Sequence, residues 1–393
     1  MQIEQIGDVL RVELDSHIDT GNTSEVEDAV LSALRASTAR KLEFDASNLE
    51  YISSSGLRMV IKVSRHVDDL TVSNVKPVVY DVFEMTGLTE MLDIRREMAE
   101  LSIDGFPMIG AGANGRVYRL DQERIVKVYN PVSNPPEKIA REKKVAREAF
   151  IQGIPSALSY EMVRVGDTYG IIYEMIDAKT LGETIAQQPE RLEEFATRMA
   201  KMLLELHATT FAPGVLPYAR DSLHTWVDIA ERSGYYTEEV ISAAHKLVNS
   251  IPARDTFIHG DFHPGNIMVT DDDELLLIDM GDASVGDPII DLMASYQIMR
   301  VVADQPGGSE HYLGLTAEQS IRVWDIFVRT YYGTDDPAEI ETIERRLKFH
   351  MIVRSLPGVT FSKVISEDKR EDYAKLLSKV LLEGHPSQSS SRA

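Results

Sequence analysis

The sequence predicts two folded units of mixed α/β and α+β class, and three observations lead to this prediction. The chain has 393 residues, 43% of them apolar, which is too long for one ordinary core and apolar enough for two. Residues 1–98 alternate strand-type and helix-type patterns. From residue 106 a glycine-rich segment, a strand carrying a lysine and a helix-rich remainder follow. We expect an N-terminal mixed sheet with helices and a C-terminal unit of two lobes, the second helical.

Composition excludes several classes of function. The formal net charge of −22 argues against nonspecific nucleic-acid binding, because a phosphate backbone is bound by clustered Lys and Arg. No apolar run approaches the roughly 18 residues of a membrane helix, and the N-terminus lacks the pattern of a signal peptide. The absence of cysteine excludes disulfides and thiolate metal sites. We expect a cytoplasmic protein with no nucleic-acid partner and no membrane insertion.

The first unit begins with two strand patterns, DVLRVEL and KLEFDA, which flank a helix pattern. In that helix, apolar residues recur at helical spacing from Val26 to Leu34, and Ser24 with Glu27 predicts a capping box at its start. Two further passages from strand to helix follow before residue 98. The pattern predicts a small mixed sheet covered by helices.

Two segments of this unit carry a resemblance to a known family. Residues 53–57 read Ser-Ser-Ser-Gly-Leu at a helix start, and residues 71–92 read TVSNVKPVVYDVFEMTGLTEML. Both resemble the STAS domain, the fold of the anti-sigma-factor antagonists, over residues 1–98. The resemblance implies a regulatory domain with a protein partner, and it maps the family's phosphoacceptor onto Ser54. A phosphate there would be favoured by the helix dipole. The alternative is that Ser53 to Ser55 only cap the helix.

After a linker at residues 99–105, three glycines suggest a loop over phosphates. Gly110, Gly112 and Gly115 form a G-x-G-x-x-G pattern with strand-type residues on both sides, which favours a hairpin over a dinucleotide-binding turn. The next strand carries Lys127 on the same face as Ile125. Because an unpaired buried lysine is costly, we expect a carboxylate partner.

Two glutamates on the following helix compete for that lysine. At roughly 100° per residue, Glu142 lies about 60° from the apolar Ile139, whereas Glu148 lies on the opposite side. We therefore expect Glu142 to pair with Lys127, which would hold the amine against nucleotide phosphates as kinases do. The alternative is a glutamate on the helix surface.

The apolar strand that ends near residue 174 breaks into a polar connector. Backbone groups of such a connector between two lobes could bind an adenine edge, and Glu174 to Ile176 are the candidates. We place the first lobe at residues 106–176, the second at 177–384, and a disordered polar tail at 385–393.

Residues 257–282 concentrate the candidate catalytic groups. Asp261 has the chemistry to orient an acceptor hydroxyl and take its proton. Asn266, five residues later, offers a neutral oxygen to Mg²⁺. Asp279, at the end of the apolar run LLLID, offers a second carboxylate to the metal and the phosphates. Oxygen ligands that leave room for water and phosphates suit Mg²⁺.

Other polar residues in the same region have simpler interpretations. The run Asp271 to Asp273 is typical of a solvated hairpin tip. We interpret Asp287 and Asp291 as turn and cap residues, and Asp282 likewise, although it is close enough to Asp279 to reach the site. His259 and His263 raise the possibility of zinc, but the segment has no third histidine and no cysteine.

Residues 105–383 resemble the aminoglycoside phosphotransferase and choline kinase family, relatives of protein kinases. The resemblance rests on HGDFHPGN at residues 259–266, LLLIDMGD at 275–282 and VGDPIIDL at 285–292. It implies a bilobal protein kinase-like fold that uses ATP and Mg²⁺, with Asp261 as catalytic base, Asn266 and Asp279 as metal ligands and Lys127 on the phosphates. His263 stands where Ser/Thr protein kinases usually have lysine, which favours the small-molecule branch.

Two functions follow from these expectations. The first is a phosphotransferase that moves the γ-phosphate of ATP to a hydroxyl of an aminoglycoside, amino alcohol or sugar-like acceptor, under regulation by the STAS domain. The second is a regulatory protein kinase that phosphorylates a STAS serine such as Ser54. No acceptor motif can be identified in residues 288–383.

Overall fold

The computed structural model describes residues 1–112, 114–361 and 366–383, without side-chain detail at residue 361. The predicted tail, 385–393, lies outside these residues. The chain forms two compact units, residues 1–102 and 103–393, and we treat each unit by itself. Within the described ranges, no helix has both the length and the apolar character needed to cross a membrane.

The first unit is a mixed five-stranded sheet with three helices. Its strands are β1 (Gln2–Ile6), β2 (Val9–Glu13), β3 (His17–Ile18), β4 (Lys41–Asp45), β5 (Tyr51–Ile52), β6 (Asp69–Val75) and β7 (Asp93–Arg96). Its helices are α1 (Thr23–Ala36), α2 (Ser54–Ser64) and α3 (Pro77–Met85). The sheet order is β1-β2-β4-β6-β7, with β1 antiparallel to β2 and all other pairs parallel. The short strands β3 and β5 pair with each other, in parallel, outside this sheet.

The register of the central strands explains the core of this unit. Val12, Phe44 and Val72 are paired across β2, β4 and β6, and all three are fully buried. Parallel strands covered by helices bury such positions. The predicted capping box was wrong: α1 begins at Thr23, after Asn22, so Ser24 lies inside the helix. Glu27 instead pairs with Lys62 of α2, because the two helices pack side by side.

A buried carboxylate makes the stability of the first unit depend on pH. Burial works to raise the pKa of Asp45, but hydrogen bonds from Asn74, Arg11 and Ser47 lower the pKa to about 2. This folded value lies below the unfolded value of about 3.9. The ionised carboxylate therefore stabilises the unit above about pH 4, and this contribution is lost as the pH falls through about 2.

Replacing Asp45 should remove that pH dependence. We expect Asp45→Asn to lower the Tm of the first unit at pH 7 and to flatten its change with pH between about 4 and 2. Calorimetry can follow this transition. The two tryptophans of the chain, Trp226 and Trp324, both lie in the second unit, so tryptophan fluorescence identifies the unfolding of that unit separately. A Tm with the wild-type pH dependence would show that Asp45 is not the responsible group.

The second unit begins with a five-stranded antiparallel sheet and one long helix. The strands are β8 (Met108–Ala111), β9 (Gly115–Arg119), β10 (Arg124–Tyr129), β11 (Ser159–Val165) and β12 (Thr168–Glu174), and the helix is α4 (Pro136–Ile151). The sheet order is β11-β12-β10-β9-β8. Strand β10 therefore lies at the centre, and Lys127 projects from its middle.

The remainder of the unit is mostly helical. Its helices are α5 (Leu181–Gln187), α6 (Leu192–Ala208), α7 (Ala219–Arg232), α8 (Glu238–Ser250), α9 (Ile289–Tyr296), α10 (Gly308–Leu313), α11 (Ala317–Tyr332), α12 (Pro337–Ser355), α13 (Gly358–Phe361) and α14 (Arg370–Glu383). Its strands are β13 (Ala178–Thr180), β14 (Phe257–Ile258), β15 (Ile267–Thr270), β16 (Leu275–Leu277) and β17 (Ser284–Val285). A π-helical segment, Gln297–Val301, continues α9.

The short strands flank two polar segments, residues 259–266 and 278–283. Strand β14 pairs with β17, and β15 pairs with β13 and β16. Helix α9, which follows β17, is buried along its whole length. The residues that separate β14 from β15 and those that separate β16 from β17 lie side by side, since His259 Nε2 is 3.1 Å from the Ile278 carbonyl oxygen. The predicted class, a mixed-sheet unit followed by a kinase-like unit with a helical second lobe, is confirmed.

Candidate active site

The glycine-rich segment forms the turn of the β8–β9 hairpin. Gly112 N–H donates to Gly115 C=O across the turn at 2.9 Å. A Cβ on Gly115 would lie 2.2 Å from the carbonyl oxygen of Val128 on β10, whereas a Cβ on Gly112 would have no heavy atom within 4 Å. Gly115 is therefore needed for strand packing. Gly112 leaves open space, and a Cβ on Gly110 would make an ordinary contact with the Val117 side chain at 3.6 Å. We predict that phosphates bind beside these two glycines.

Alanine substitutions should separate these two roles. We expect Gly115→Ala to destabilise the second unit by about 1–3 kcal/mol, the usual cost of overpacking, because the Val128 carbonyl belongs to the central strand. Gly112→Ala is the matched control and should leave the Tm unchanged. Thermal unfolding followed by tryptophan fluorescence measures both, and equal Tm values for the two variants would refute this assignment.

Lys127 lies between two carboxylates from different parts of the unit. Its Nζ is 2.9 Å from Glu142 Oε1 on α4 and 2.7 Å from Asp279 Oδ1 after β16. Burial would lower the pKa of Lys127, but the charges of Asp279 and Glu142 raise it above its ordinary value. The lysine is therefore charged. Glu142 is therefore the helix glutamate that pairs with Lys127, as expected. The competing Glu148 is half-buried.

Two tyrosines also bind Glu142, which sequence reasoning missed. Tyr129 OH donates to Glu142 Oε1 at 2.7 Å and Tyr173 OH donates to the same oxygen at 3.2 Å. Burial is the main cause that raises the pKa of both phenols, so they remain donors. With Lys127, three donors meet one carboxylate oxygen. This arrangement fixes Glu142, and through it the lysine.

A cavity of about 620 Å³ opens beside this ion pair. Its lining includes the following predicted site residues: Gly110, Lys127, Glu142, Glu174, Ile176, Asn266 and Asp279. Gly112, Gly115 and Asp261 are not part of the lining. In the connector, Met175 N–H donates to Glu123 C=O at 2.7 Å. Among the described residues, Ile176 N–H has no backbone acceptor, so it is a donor that a ligand in the cavity could use.

Residues 259–266, which we name the catalytic loop after the role predicted for Asp261, leave the Asp261 side chain partly exposed. Asp261 Oδ2 lies 3.3 Å from Asn266 Nδ2 and 3.4 Å from His263 Nε2. Gly265 N–H donates to His263 Nδ1, so the ring proton belongs on Nε2, where it can donate to Asp261. Burial opposes ionisation, but the hydrogen bond from His263 and the neighbouring charges hold the pKa of Asp261 well below its usual range. Asp261 is therefore an ionised carboxylate.

The same loop is tied to the segment that carries Asp279. His259 accepts from Asp261 N–H through Nδ1 and donates from Nε2 to Ile278 C=O, at 3.3 and 3.1 Å. The next residue, Asp279, has φ 60° and ψ 66°, a left-handed conformation that is rare for a residue other than glycine and that clusters at functional sites.

Asn266 and Asp279 form a donor set that fits a magnesium ion. Asn266 Nδ2 donates to the Asp261 carbonyl at 2.9 Å, which leaves its amide oxygen for another partner. Both residues line the cavity, and the Asp279 side chain is 37% exposed. Within the described ranges, no group of three or more His, Cys, Asp or Glu side chains could hold a metal. A magnesium ion here would complete its shell with phosphates and water.

Asp291 proved to be more than a helix cap. Its carboxylate accepts from His259 N–H at 2.9 Å and from Gly260 N–H at 2.6 Å, and it is fully buried. His207 Nε2 lies 3.1 Å from the same carboxylate, and its other nitrogen lies 2.8 Å from Tyr331 OH. The interpretation of Asp291 as a local turn residue was wrong, because its partners are 31 and 32 residues away in the chain.

Asp273 and Asp287 take the turn and cap positions expected for them. Asp273 pairs with Arg191 at the β15–β16 turn. Asp287 caps α9 through Ile289 N–H and pairs with Arg254. Asp282 is exposed beside the catalytic loop, where a Cβ on Gly260 would lie 2.8 Å from Asp282 Cβ.

In the first unit, Ser54 is the first residue of α2 and is exposed. Ser53 Oγ accepts from Gly56 N–H and lies 2.7 Å from Ser55 Oγ. Within the described part of the chain, Ser54 Oγ has no hydrogen-bond partner. Ser53 therefore caps the helix, and the hydroxyl of Ser54 is accessible.

A bilobal fold with Lys127, Asn266 and Asp279 around one cavity is typical of phosphotransferases of the kinase type. Residues 106–325 match the model of the phosphotransferase enzyme family, and residues 1–101 match the STAS domain. The chain thus belongs to the phosphotransferase enzyme family and carries an N-terminal STAS domain. Both resemblances predicted from the sequence are confirmed.

Individual proteins resemble one or the other unit. A putative anti-sigma factor antagonist, BtrV of Bordetella bronchiseptica, is 29% identical over 98 residues, which covers 24% of this chain and 84% of that protein. The gentamicin–APH(2")-IIa complex is 16% identical with a TM-score of 0.46, covering 77% and 96% of the two chains. The unphosphorylated anti-sigma factor antagonist SpoIIAA is 18% identical with a TM-score of 0.22, covering 24% and 85%.

Proposed function

We propose that this protein transfers the γ-phosphate of ATP, with Mg²⁺, to a hydroxyl group of a small molecule, and that its STAS domain regulates this activity. The observation that carries the proposal is that Lys127, Asn266 and Asp279 border one cavity with the connector residues Glu174 and Ile176. A cation, two metal-binding oxygens and a backbone edge are the groups that a kinase needs around its nucleotide.

The cavity provides for both ends of a nucleotide. The apolar side chains of Ile125, Val117 and Met268 line it, which suits a flat base, with Ile176 N–H as donor. On β10, Ile125 pairs with Tyr173 close to the connector, whereas Lys127 pairs with Ile171 farther from it. Lys127 therefore suits the α and β phosphates, with Gly110 and Gly112 beside it on the hairpin. Mg²⁺ would supply charge neutralisation between the phosphates, held by Asn266 and Asp279.

The transfer itself would use Asp261. The acceptor oxygen forms a bond to the γ-phosphorus while the bond from that phosphorus to the β,γ-bridging oxygen breaks. The hydroxyl proton passes to the Asp261 carboxylate, and ADP leaves. An ionised, oriented carboxylate at the cleft is the group that this proton transfer requires. Acceptors of the aminoglycoside, amino-alcohol or sugar class present suitable hydroxyls.

Incubation of the intact protein with Mg²⁺ and γ-labelled ATP tests this function. We expect Mg²⁺-dependent ATP binding and transfer of label to a member of a panel of hydroxylated acceptors, with no transfer by Asp261→Ala. Failure to bind ATP with Mg²⁺ would refute the proposal.

A second function is favoured by the accessible hydroxyl of Ser54. A protein kinase activity directed at a STAS serine would place phosphate on a helix start, where free N–H groups and the helix dipole favour it. Regulation of a protein partner would then be the output.

Intact-mass measurement in the same incubation separates the two functions. Ser55→Ala is the matched control for Ser54→Ala, because the hydroxyl of Ser55 is already bound to that of Ser53. Addition of one phosphate to wild type and Ser55→Ala, but to neither Ser54→Ala nor Asp261→Ala, would favour the protein kinase. An unmodified protein that labels a small acceptor would favour the first function.

A further inference from the structure

Arg354, near the end of α12, reaches the catalytic loop from more than 90 residues away. Its Nη2 lies 3.2 Å from Asp261 Oδ1, and its Nη1 donates to the Gly260 carbonyl at 2.6 Å. Its Nε donates to Gln297 Oε1 at 3.3 Å. All three guanidinium nitrogens therefore have an acceptor. The side chain is 12% exposed, so these contacts are shielded from water.

Two further groups fix the position of this guanidinium. Its central carbon lies 5.1 Å from the ring centroid of Trp226 on α7, within the range of a cation–π contact. Gln297 belongs to the π-helical segment that continues α9, and such segments occur frequently at functional sites. The guanidinium thus has contacts with α7, with the continuation of α9 and with the catalytic loop.

The contacts of Asp261 leave one direction free. A carboxylate has roughly four lone-pair sites. Arg354 uses one on Oδ1, while Asn266 and His263 approach Oδ2. The remaining site is the one from which the carboxylate can accept another hydrogen bond. Without Arg354, Oδ1 would have no protein donor among the described residues, and the carboxylate could rotate.

We propose that Arg354 is a positioning residue for Asp261: by binding Oδ1 and the Gly260 carbonyl together, it directs the free lone pair of the carboxylate at the acceptor hydroxyl. This inference rests on the proposed phosphotransferase function. A planar, bidentate guanidinium can make both contacts at once, whereas a lysine ammonium keeps the charge without this fixed geometry. Arg354 does not border the nucleotide cavity, so its loss should affect turnover and not ATP binding.

Steady-state kinetics with Mg²⁺·ATP tests the proposal. The acceptor is the one found in the panel, or water. We expect Arg354→Met to lower kcat by about 10- to 100-fold, the scale of a misplaced catalytic group, while the KM for ATP changes less than about twofold. Arg354→Lys should recover part of kcat. Arg345→Met, on the exposed side of the same helix, is the matched control and should behave as wild type. Wild-type kcat in Arg354→Met would overturn the inference.

Amide hydrogen exchange gives a readout that does not need turnover. Exchange of residues 257–266 should be faster in Arg354→Met than in wild type and Arg345→Met, with the other protected regions unchanged. Unchanged exchange in that segment would also overturn the inference. If wild type turns over no faster than Asp261→Ala, the phosphotransferase function fails, and the exchange result alone decides whether Arg354 positions the loop.

Discussion

Asp261→Asn is expected to lose at least about 10²-fold in kcat, the usual contribution of a general base, while its affinity for Mg²⁺·ATP stays within about twofold of wild type. The amide keeps the shape of the side chain and an oxygen for Arg354, but it cannot take a proton. Asp261 lies outside the lining of the nucleotide cavity, which is the reason that binding should survive. Turnover assays and nucleotide titrations measure the two effects separately.

Asp271→Asn is the control for this substitution, since Asp271 is an exposed residue of the β15–β16 turn. It should leave both quantities unchanged. Full activity of Asp261→Asn would exclude Asp261 as the base, and a loss confined to ATP affinity would assign it to nucleotide binding.

Asp279→Asn is expected to weaken Mg²⁺-dependent nucleotide binding by at least about tenfold, because even residues that only orient metal ligands contribute 10–100-fold to metal affinity. Asparagine is the chosen replacement because it tolerates the left-handed backbone of this position, so that the change tests the charge and not the fold. Titration of Mg²⁺ at fixed ATP, followed by tryptophan fluorescence or calorimetry, gives the midpoint.

Lys127 supplies an internal check on that result. Loss of the Asp279 charge leaves Glu142 as the carboxylate partner of the lysine, so binding of ATP without Mg²⁺ should change less than binding with it. Coincident Mg²⁺ titration curves for wild type and Asp279→Asn would remove Asp279 from the metal site.

Several features of the fold were predictable because they depend on short stretches of chain. The hairpin at Gly110 to Gly115 followed from strand-type residues on both sides. The choice of Glu142 over Glu148 followed from helical periodicity, and the structure brings Glu142 to Lys127. Both inferences use only geometry within one element or between neighbours, which sequence spacing determines directly.

The residues that surround Asp261 were not predictable in the same way. Asp291 and Arg354 reach the loop from α9 and α12, and their partners depend on how distant helices pack, which spacing does not encode. Tyr129 and Tyr173 were also missed as partners of Glu142. A signal for Tyr129 was present, because it shares a strand face with Lys127 and a buried phenol requires an acceptor.

The contacts of the catalytic loop have a consequence for the order of synthesis. The loop ends at residue 266, yet its backbone and its carboxylate are bound by Asp291 and Arg354. A nascent chain emerges from its N-terminus, so these partners arrive after the loop itself. Translation must pass residue 354 before all of these bonds can form, and a ribosome-bound chain shorter than this lacks part of the support of the loop.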